Sequence, residues 1–134
     1  MKKKIKIYIF GNPLVDLDNI AIKLIPDLQK RFPEIKFIQK DPNENLKPIN
    51  KELFIIDVVL EIDKVRVFHD IEKIETEKIY SAHDFDLAFN LKLLKKIGLI
   101  NKITIFGIPS KIKKQEALDQ LSCLIKKNID IKPN

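Results

Sequence analysis

The most apolar stretch of the chain is residues 53–59, LFIIDVV, in which Asp57 interrupts a run of large apolar side chains. An apolar run of this length predicts a central strand that is covered on both faces of a sheet. A carboxylate in such a strand is costly unless it is hydrogen-bonded, paired with a charge or bound to a cation. Asp57 is therefore the first candidate for a functional residue.

Further strands are predicted on both sides of this stretch. Residues 5–10 and 102–106 form two apolar runs that end at the sequences GNP and GIP, so both are predicted to be buried strands. Residues 35–38 predict a short strand, and residues 64–68 alternate as a half-exposed strand does.

Helices are predicted between these strands. Residues from about Asp18 to Phe32 have apolar side chains at helical spacing, and Pro26 should kink that helix near residues 23–25. Residues 84–97 predict a second helix that Gly98 ends, and residues 111–127 predict a closing helix. The alternation predicts a single α/β domain over residues 1–134, a three-layer α/β/α sandwich with a mostly parallel central sheet of about five strands.

Composition narrows the function. The 134 residues are 45% hydrophobic and carry a net charge of +6, but the lysines are scattered along the chain, so we expect no nucleic-acid partner. No apolar segment is long enough to cross a bilayer, and no secretory signal follows the N-terminal lysines, so we expect no membrane partner. The single cysteine, Cys123, fits a reducing compartment, which predicts a cytoplasmic protein.

Polar residues follow several of the predicted strands. Asp18 follows the first strand, Asp57 ends the central strand, and His83 precedes the second predicted helix. Ligands of parallel α/β sheets bind beyond the carboxyl ends of the strands, so these side chains can meet. Two carboxylates and one imidazole form a donor set that suits nickel, zinc or copper.

Each of these residues also has a structural interpretation. Asp18 can be a helix N-cap, a role that Asp16 can fill instead. A lone loop histidine such as His83 is usually solvated, and His69 is predicted to lie in a surface turn. Cys123, on the last predicted helix, is expected to pack rather than to react.

The order of these motifs resembles the hydrogenase maturation endopeptidases. Residues 10–18, FGNPLVDLD, resemble the opening Gly-Asn motif of that family, and the strand that ends at Asp57 resembles its Asp-containing strand. Residues 81–83, SAH, and residues 104–109, TIFGIP, resemble the family's histidine segment and its last strand. The resemblance spans about residues 5–125.

This resemblance implies a site and a reaction. Asp18, Asp57 and His83 fall on the positions that contact nickel in that family. The implied reaction removes the C-terminal extension of a nickel–iron hydrogenase large-subunit precursor, which would be the partner and would itself supply the nickel. Asp41 is a candidate substrate contact. The sequence leaves the oligomeric state, the client hydrogenase and the cleavage position open.

Two alternatives remain. Residues 40–43, KDPN, lack the glycines that the family has after its second strand, so a catalytically silent relative that acts as a chaperone for a hydrogenase subunit is one of them. The other is a phosphoacceptor domain with Asp57 as the acceptor. That fold requires an acidic pair directly after the first strand, where this chain has Gly11, Asn12 and Pro13.

Overall fold

The computed structural model describes residues 5–10, 19–40, 51–59, 62–69 and 92–130. Within these residues five strands form one sheet: β1 (Ile5–Phe10), β2 (Ile35–Lys40), β3 (Glu52–Val59), β4 (Arg66–Phe68) and β5 (Lys102–Pro109). The helices are α1 (Asn19–Lys23), α2 (Ile25–Arg31) and α3 (Lys114–Asn128), and residues 92–96 are also helical.

The sheet has the order β2-β1-β3-β5-β4, with β3 at its centre as predicted. β1 pairs in parallel with β2 and β3, and β3 pairs in parallel with β5, whereas β4 is an antiparallel edge strand beside β5. The predicted α/β fold with a mostly parallel sheet of about five strands is therefore confirmed.

The end of β5 differs from the prediction. The strand was expected to end at Phe106, but it continues through Gly107 and Ile108 to Pro109. These three residues pair in register with Asp57, Val58 and Val59, and all three are buried. Burial obliges their backbone groups to find partners, and pairing with β3 supplies them. The sequence GIP therefore lies within the sheet and is not a turn.

The predicted kink after the first strand is confirmed. The helix breaks at Leu24 between α1 and α2, and Pro26 lies in the first turn of α2, where its missing N–H costs nothing. Gln29 ties α2 to β2, because its side chain donates to the Ile35 carbonyl at 2.7 Å and accepts from the Phe37 amide at 3.3 Å.

Gly98 ends the helical segment at residues 92–96 in the predicted way. It has a φ of +81°, and its amide donates to the Lys95 carbonyl while the Leu99 amide donates to the Leu94 carbonyl. This pair of bonds defines a Schellman motif, which favours glycine at the left-handed position. The start of the predicted helix lies outside the described residues. The closing helix begins at Lys114, later than the predicted residue 111.

The sheet divides the core into two parts. The helix face is the sheet face that packs against α1, α2 and α3, and its side chains include Ile7, Ile9, Ile56, Val58, Phe106 and Ile108. The site face is the opposite one, and its side chains include Tyr8, Phe10, Leu53, Ile55, Val59, Phe68, Ile103 and Ile105. Leu94, from the helical segment at residues 92–96, packs against the site face. Among the described residues, no helix is long and apolar enough to span a membrane.

Candidate functional site

Asp57 lies near the carboxyl end of β3 and is almost completely buried, with 1% of its surface exposed. Side chains alternate between the faces of a strand, and Ile55 and Val59 both belong to the core of the site face, so Asp57 points to that face as well. Its Oδ1 accepts a hydrogen bond from the Val58 amide at 2.9 Å. The sheet thus holds a carboxylate in largely apolar surroundings, at the edge where loops of parallel α/β proteins converge.

Gly107 and Arg66 lie level with Asp57 on the next two strands, β5 and β4, and the three residues form a row across the sheet. Gly107 of β5 is the register partner of Asp57, and it is also the register partner of Arg66 at the start of β4. Arg66 precedes Phe68 by two residues, and its guanidinium carbon lies 4.9 Å from the centroid of the Phe68 ring. Since Phe68 belongs to the core of the site face, Arg66 is on that face too.

Gly107 has a packing role in this row. A Cβ built on it would lie 2.7 Å from Cγ2 of Val59 and 2.9 Å from Cε2 of Phe68. These distances are too short for a real methyl group, so the side chains of Val59 and Phe68 occupy the space that any other residue would need. Glycine therefore lets the two apolar side chains close over β5 between Asp57 and Arg66.

The row continues on the other side of Asp57. β1 pairs with β3 through Ile9 and Ile56, so Phe10 is the next residue along, level with Asp57. Phe10 is in turn the register partner of Lys40, the last residue of β2. Ile38 packs against the site face, and Lys40 follows it by two residues, so Lys40 belongs to that face. Asp57 thus has one cationic residue two strands away in each direction.

The other predicted site residues are not described. Asp18, His83 and Asp41 lie outside the described residues, as do Asp16 and the motifs at residues 11–18 and 81–83. Within the described part of the chain, no group of three or more His, Cys, Asp or Glu side chains is arranged to hold a metal ion. The convergence of Asp18, Asp57 and His83 therefore stays a prediction.

Two minor predictions have different outcomes. His69 is exposed in a bend after β4, as expected for a surface turn. Cys123 was expected to pack, but this prediction is wrong because the residue is exposed on α3. Ser122 and Leu121 are the neighbouring residues that α3 turns toward the core, so the helical period leaves Cys123 on the solvent side.

Sequence reasoning did not find Arg66 or the role of Gly107. Both depend on the register between β3, β5 and β4, which joins residues about 40 to 50 positions apart in sequence. A usable local signal was present at Arg66, since an arginine two residues before a phenylalanine in a strand shares its face. Nothing local indicates that this face is the one that carries Asp57.

The fold and the position of Asp57 define an α/β protein with its candidate site at the carboxyl edge of a parallel sheet. Solved structures with this fold include endopeptidases. One is hydrogenase maturating endopeptidase HybD from E. coli, which is 18% identical, has a TM-score of 0.65, and is matched over 92% of this chain and 93% of its own. Another is the solution structure of an endopeptidase from Escherichia coli, also 18% identical, with a TM-score of 0.62 and coverage of 94% and 96%.

A third structure with this fold is an uncharacterized protein from Wolinella succinogenes, which is 14% identical with a TM-score of 0.52, and 93% of this chain matches 94% of that one. No protein-family model matches the chain, and no curated protein does so either. The resemblance inferred from the sequence motifs is thereby confirmed at the level of the fold.

Proposed function

We propose that this protein is a divergent hydrogenase maturation endopeptidase, which removes the C-terminal extension of a nickel–iron hydrogenase large-subunit precursor in the cytoplasm. The observation that carries the proposal is Asp57, a buried carboxylate near the carboxyl end of the central strand. It occupies that position in a fold shared over more than nine-tenths of the chain with HybD.

Asp57 is chemically suited to the role that the sequence motifs predict. A carboxylate oxygen is a good donor for a divalent cation, and the apolar side chains around Asp57 strengthen its electrostatic attraction for one. Asp18 and His83 would complete an O, O, N set. Nickel enters as part of the precursor, where it can polarise the scissile carbonyl or activate water.

The contribution of the chain itself would be positioning. Asp57 is fixed by β3, whose neighbours β1 and β5 are both buried strands, so its carboxylate has little freedom to move. Holding the scissile bond beside a fixed anchor lowers the entropic part of the barrier. Because only 1% of Asp57 is exposed, we expect the precursor to reach it after neighbouring residues separate, which makes client binding part of activation.

The test is incubation with a nickel-loaded large-subunit precursor from the same organism, followed by mass spectrometry of the precursor. We expect loss of a C-terminal peptide, and we expect Asp57→Asn, Asp18→Ala and His83→Ala each to lower the rate by at least about a thousandfold, the scale of a lost transition-state contact of about 4 kcal/mol. Asp130→Asn is the matched control, since Asp130 is an exposed aspartate after α3. Its rate should equal that of the wild type.

The same experiment distinguishes the endopeptidase from the second candidate function, that of a catalytically silent chaperone. A silent chaperone is favoured by the absence of glycine at residues 40–43. Such a protein would form a stable complex with the precursor and leave its mass unchanged. Cleavage by the wild type that persists in Asp57→Asn would contradict the proposed site, and neither cleavage nor a complex would contradict both functions.

A further inference from the structure

The two edge strands of the sheet differ in how much backbone they offer for pairing. β4, at one edge, has three residues, whereas β2, at the other edge, has six. A long edge strand presents a row of N–H and C=O groups to which another extended chain can pair. Among the described residues, no strand pairs with the outer side of β2. This edge therefore needs a different kind of protection.

The outward groups of β2 belong to alternate residues. Successive residues of a strand direct their backbone groups to opposite sides, so those of Ile35, Phe37 and Gln39 share one side. Gln29 of α2 hydrogen-bonds the Ile35 carbonyl at 2.7 Å and the Phe37 amide at 3.3 Å. Since α2 is not part of the sheet, this side of β2 is the outer one, away from β1.

The side chain of Gln29 takes the place of a peptide group in a neighbouring strand. A carboxamide has the same kinds of donor and acceptor as the backbone, and here both are used on β2. Its Nε2 also donates to the Phe32 carbonyl at 3.3 Å, which fixes the group beside the end of α2. The Ile35 amide donates to the same carbonyl at 3.1 Å. Both backbone groups of Ile35 and the amide of Phe37 are thus bonded within the chain.

A second copy of this chain has the right geometry to pair with this edge. Two copies of β2 related by a two-fold axis at Phe37 run antiparallel, and Ile35 of each copy then lies opposite Gln39 of the other. In this register Lys36 faces Ile38, so no lysine lies directly opposite another lysine. Charge repulsion between opposite residues therefore does not prevent the pairing.

The contact at Gln29 does prevent it. Each hydrogen bond of this pairing within β2 requires the Ile35 amide, the Ile35 carbonyl or the Phe37 amide. All three groups already have partners in the same chain. Exchanging such a bond for an equivalent one to a second copy gains little free energy and costs the entropy of association.

We propose that the outer edge of β2 is a surface for self-association and that Gln29 keeps it closed. The partner that fits the edge is a second copy of this chain, added as an antiparallel strand. Loss of the Gln29 carboxamide releases the Ile35 carbonyl and the Phe37 amide, which a second β2 then satisfies. This inference is independent of the proposed endopeptidase function, because none of these residues belongs to the candidate site.

A purely structural role for Gln29 makes a different prediction. If its hydrogen bonds only hold α2 against β2, a substitution lowers the thermal midpoint and leaves the mass in solution independent of protein concentration. If they also close the edge, the same substitution makes the mass depend on concentration.

The experiment measures the weight-average mass by sedimentation equilibrium over a range of protein concentrations, at a temperature where each variant is folded. The mass of Gln29→Ala should rise with concentration and approach about twice that of the wild type, as expected for a two-fold dimer. Gln29→Asn, whose carboxamide is one methylene shorter and cannot reach both groups, should associate as well. It replaces Gln29→Ala in the test if that variant does not fold.

Gln39→Pro locates the association. The Gln39 amide points to the outer side of β2, where proline removes a donor without breaking a bond to β1. Added to Gln29→Ala, it should return the mass to the wild-type value. Association that persists in the double variant would place the contact elsewhere and overturn the inference. Association of the wild type that Gln39→Pro abolishes would also overturn it, because the edge would then be open despite Gln29.

Gln115→Ala is the matched control. Gln115 is an exposed glutamine on α3, and its carboxamide donates to Oδ1 of Asp119 at 3.1 Å rather than to a strand. Its mass should equal that of the wild type at every concentration. If Gln29→Ala behaves in the same way and only its thermal midpoint falls, Gln29 has a structural role alone and the inference is wrong.

Discussion

The helix face and the site face of the sheet use the same strands for different purposes. On the helix face, Ile9, Ile56 and Phe106 pack against α1, α2 and α3 in a continuous apolar core. The site face also has an apolar core, but Asp57 and Gly107 interrupt it near the carboxyl ends of β3 and β5. Both faces therefore contribute to stability, but the candidate site lies on the site face alone, so substitutions on the helix face should change stability and leave the candidate site intact.

The largest effect on stability is expected on the helix face. Leu121 of α3 is completely buried there, and Leu121→Ala should lower the free energy of unfolding by about 2–5 kcal/mol, through lost burial and a residual cavity. Urea denaturation measures the change. Leu124→Ala is the control, because Leu124 is only partly buried on the same helix and should cost less.

Leu121→Ala should leave cleavage per folded molecule unchanged at a temperature where the variant is folded. A fall in kcat/KM comparable to that of a change on the site face would show that the two faces are not separable.

A smaller loss of stability is expected from substitution of Gly107. Gly107→Ala places a methyl group 2.7 Å from Val59 and 2.9 Å from Phe68, and both distances are too short, so the local packing must shift. Overpacking of this kind costs about 1–3 kcal/mol. Since Gly107 is the register partner of Asp57, the variant should also lower kcat/KM, and denaturation combined with kinetics tests both effects.

Gly98→Ala is the control for Gly107→Ala. A Cβ at Gly98 meets nothing within 4 Å, but the φ of +81° disfavours alanine by about 1–2 kcal/mol. Gly98→Ala should reduce stability without changing kcat/KM. Equal kinetic effects of the two substitutions would contradict the packing role of Gly107.

The smallest loss of stability is expected from substitution of Arg31, which lies on α2. Arg31 of α2 contacts Asp119 at 3.1 Å and Ser122 Oγ at 3.2 Å, which joins α2 to α3. These side chains are partly exposed, so Arg31→Gln should cost no more than about 1 kcal/mol and leave KM unchanged. Lys114→Gln, which removes a similarly exposed pair with Asp27 at 3.2 Å, should likewise cost no more than about 1 kcal/mol.

The comparison between Arg31 and Gly107 tests the assignment of the two faces. Arg31→Gln is expected to affect stability alone, and Gly107→Ala to affect both stability and kcat/KM. A fall in kcat/KM in Arg31→Gln but not in Gly107→Ala would contradict the assignment.

Much of the fold followed from local patterns. The bounds of β1 were predicted without error, the break at Leu24 followed from Pro26, and Gly98 was predicted as the end of a helix. Each of these depends on residues close in sequence: an alternating apolar run, a missing amide proton and a left-handed glycine. Local chemistry is enough to determine such features.

The candidate site was predictable only in part. Asp57 could be identified as a candidate because it interrupts an apolar run, where a carboxylate must be hydrogen-bonded, paired with a charge or bound to a cation. The continuation of β5 to Pro109 was missed, because Gly and Pro suggested a turn and only pairing with β3 stabilises the extended chain. Arg66 was missed for a related reason, since an alternating strand does not reveal which face of the sheet its charged residues occupy.

The sequence by itself therefore determined the order of elements, the central position of β3 and the presence of a carboxylate at its end. Only the tertiary structure decided that Asp57, Gly107 and Arg66 form one row on one face. The physical reason is that strand register depends on contacts between distant residues, and a slip of one residue would move every side chain of a strand to the opposite face.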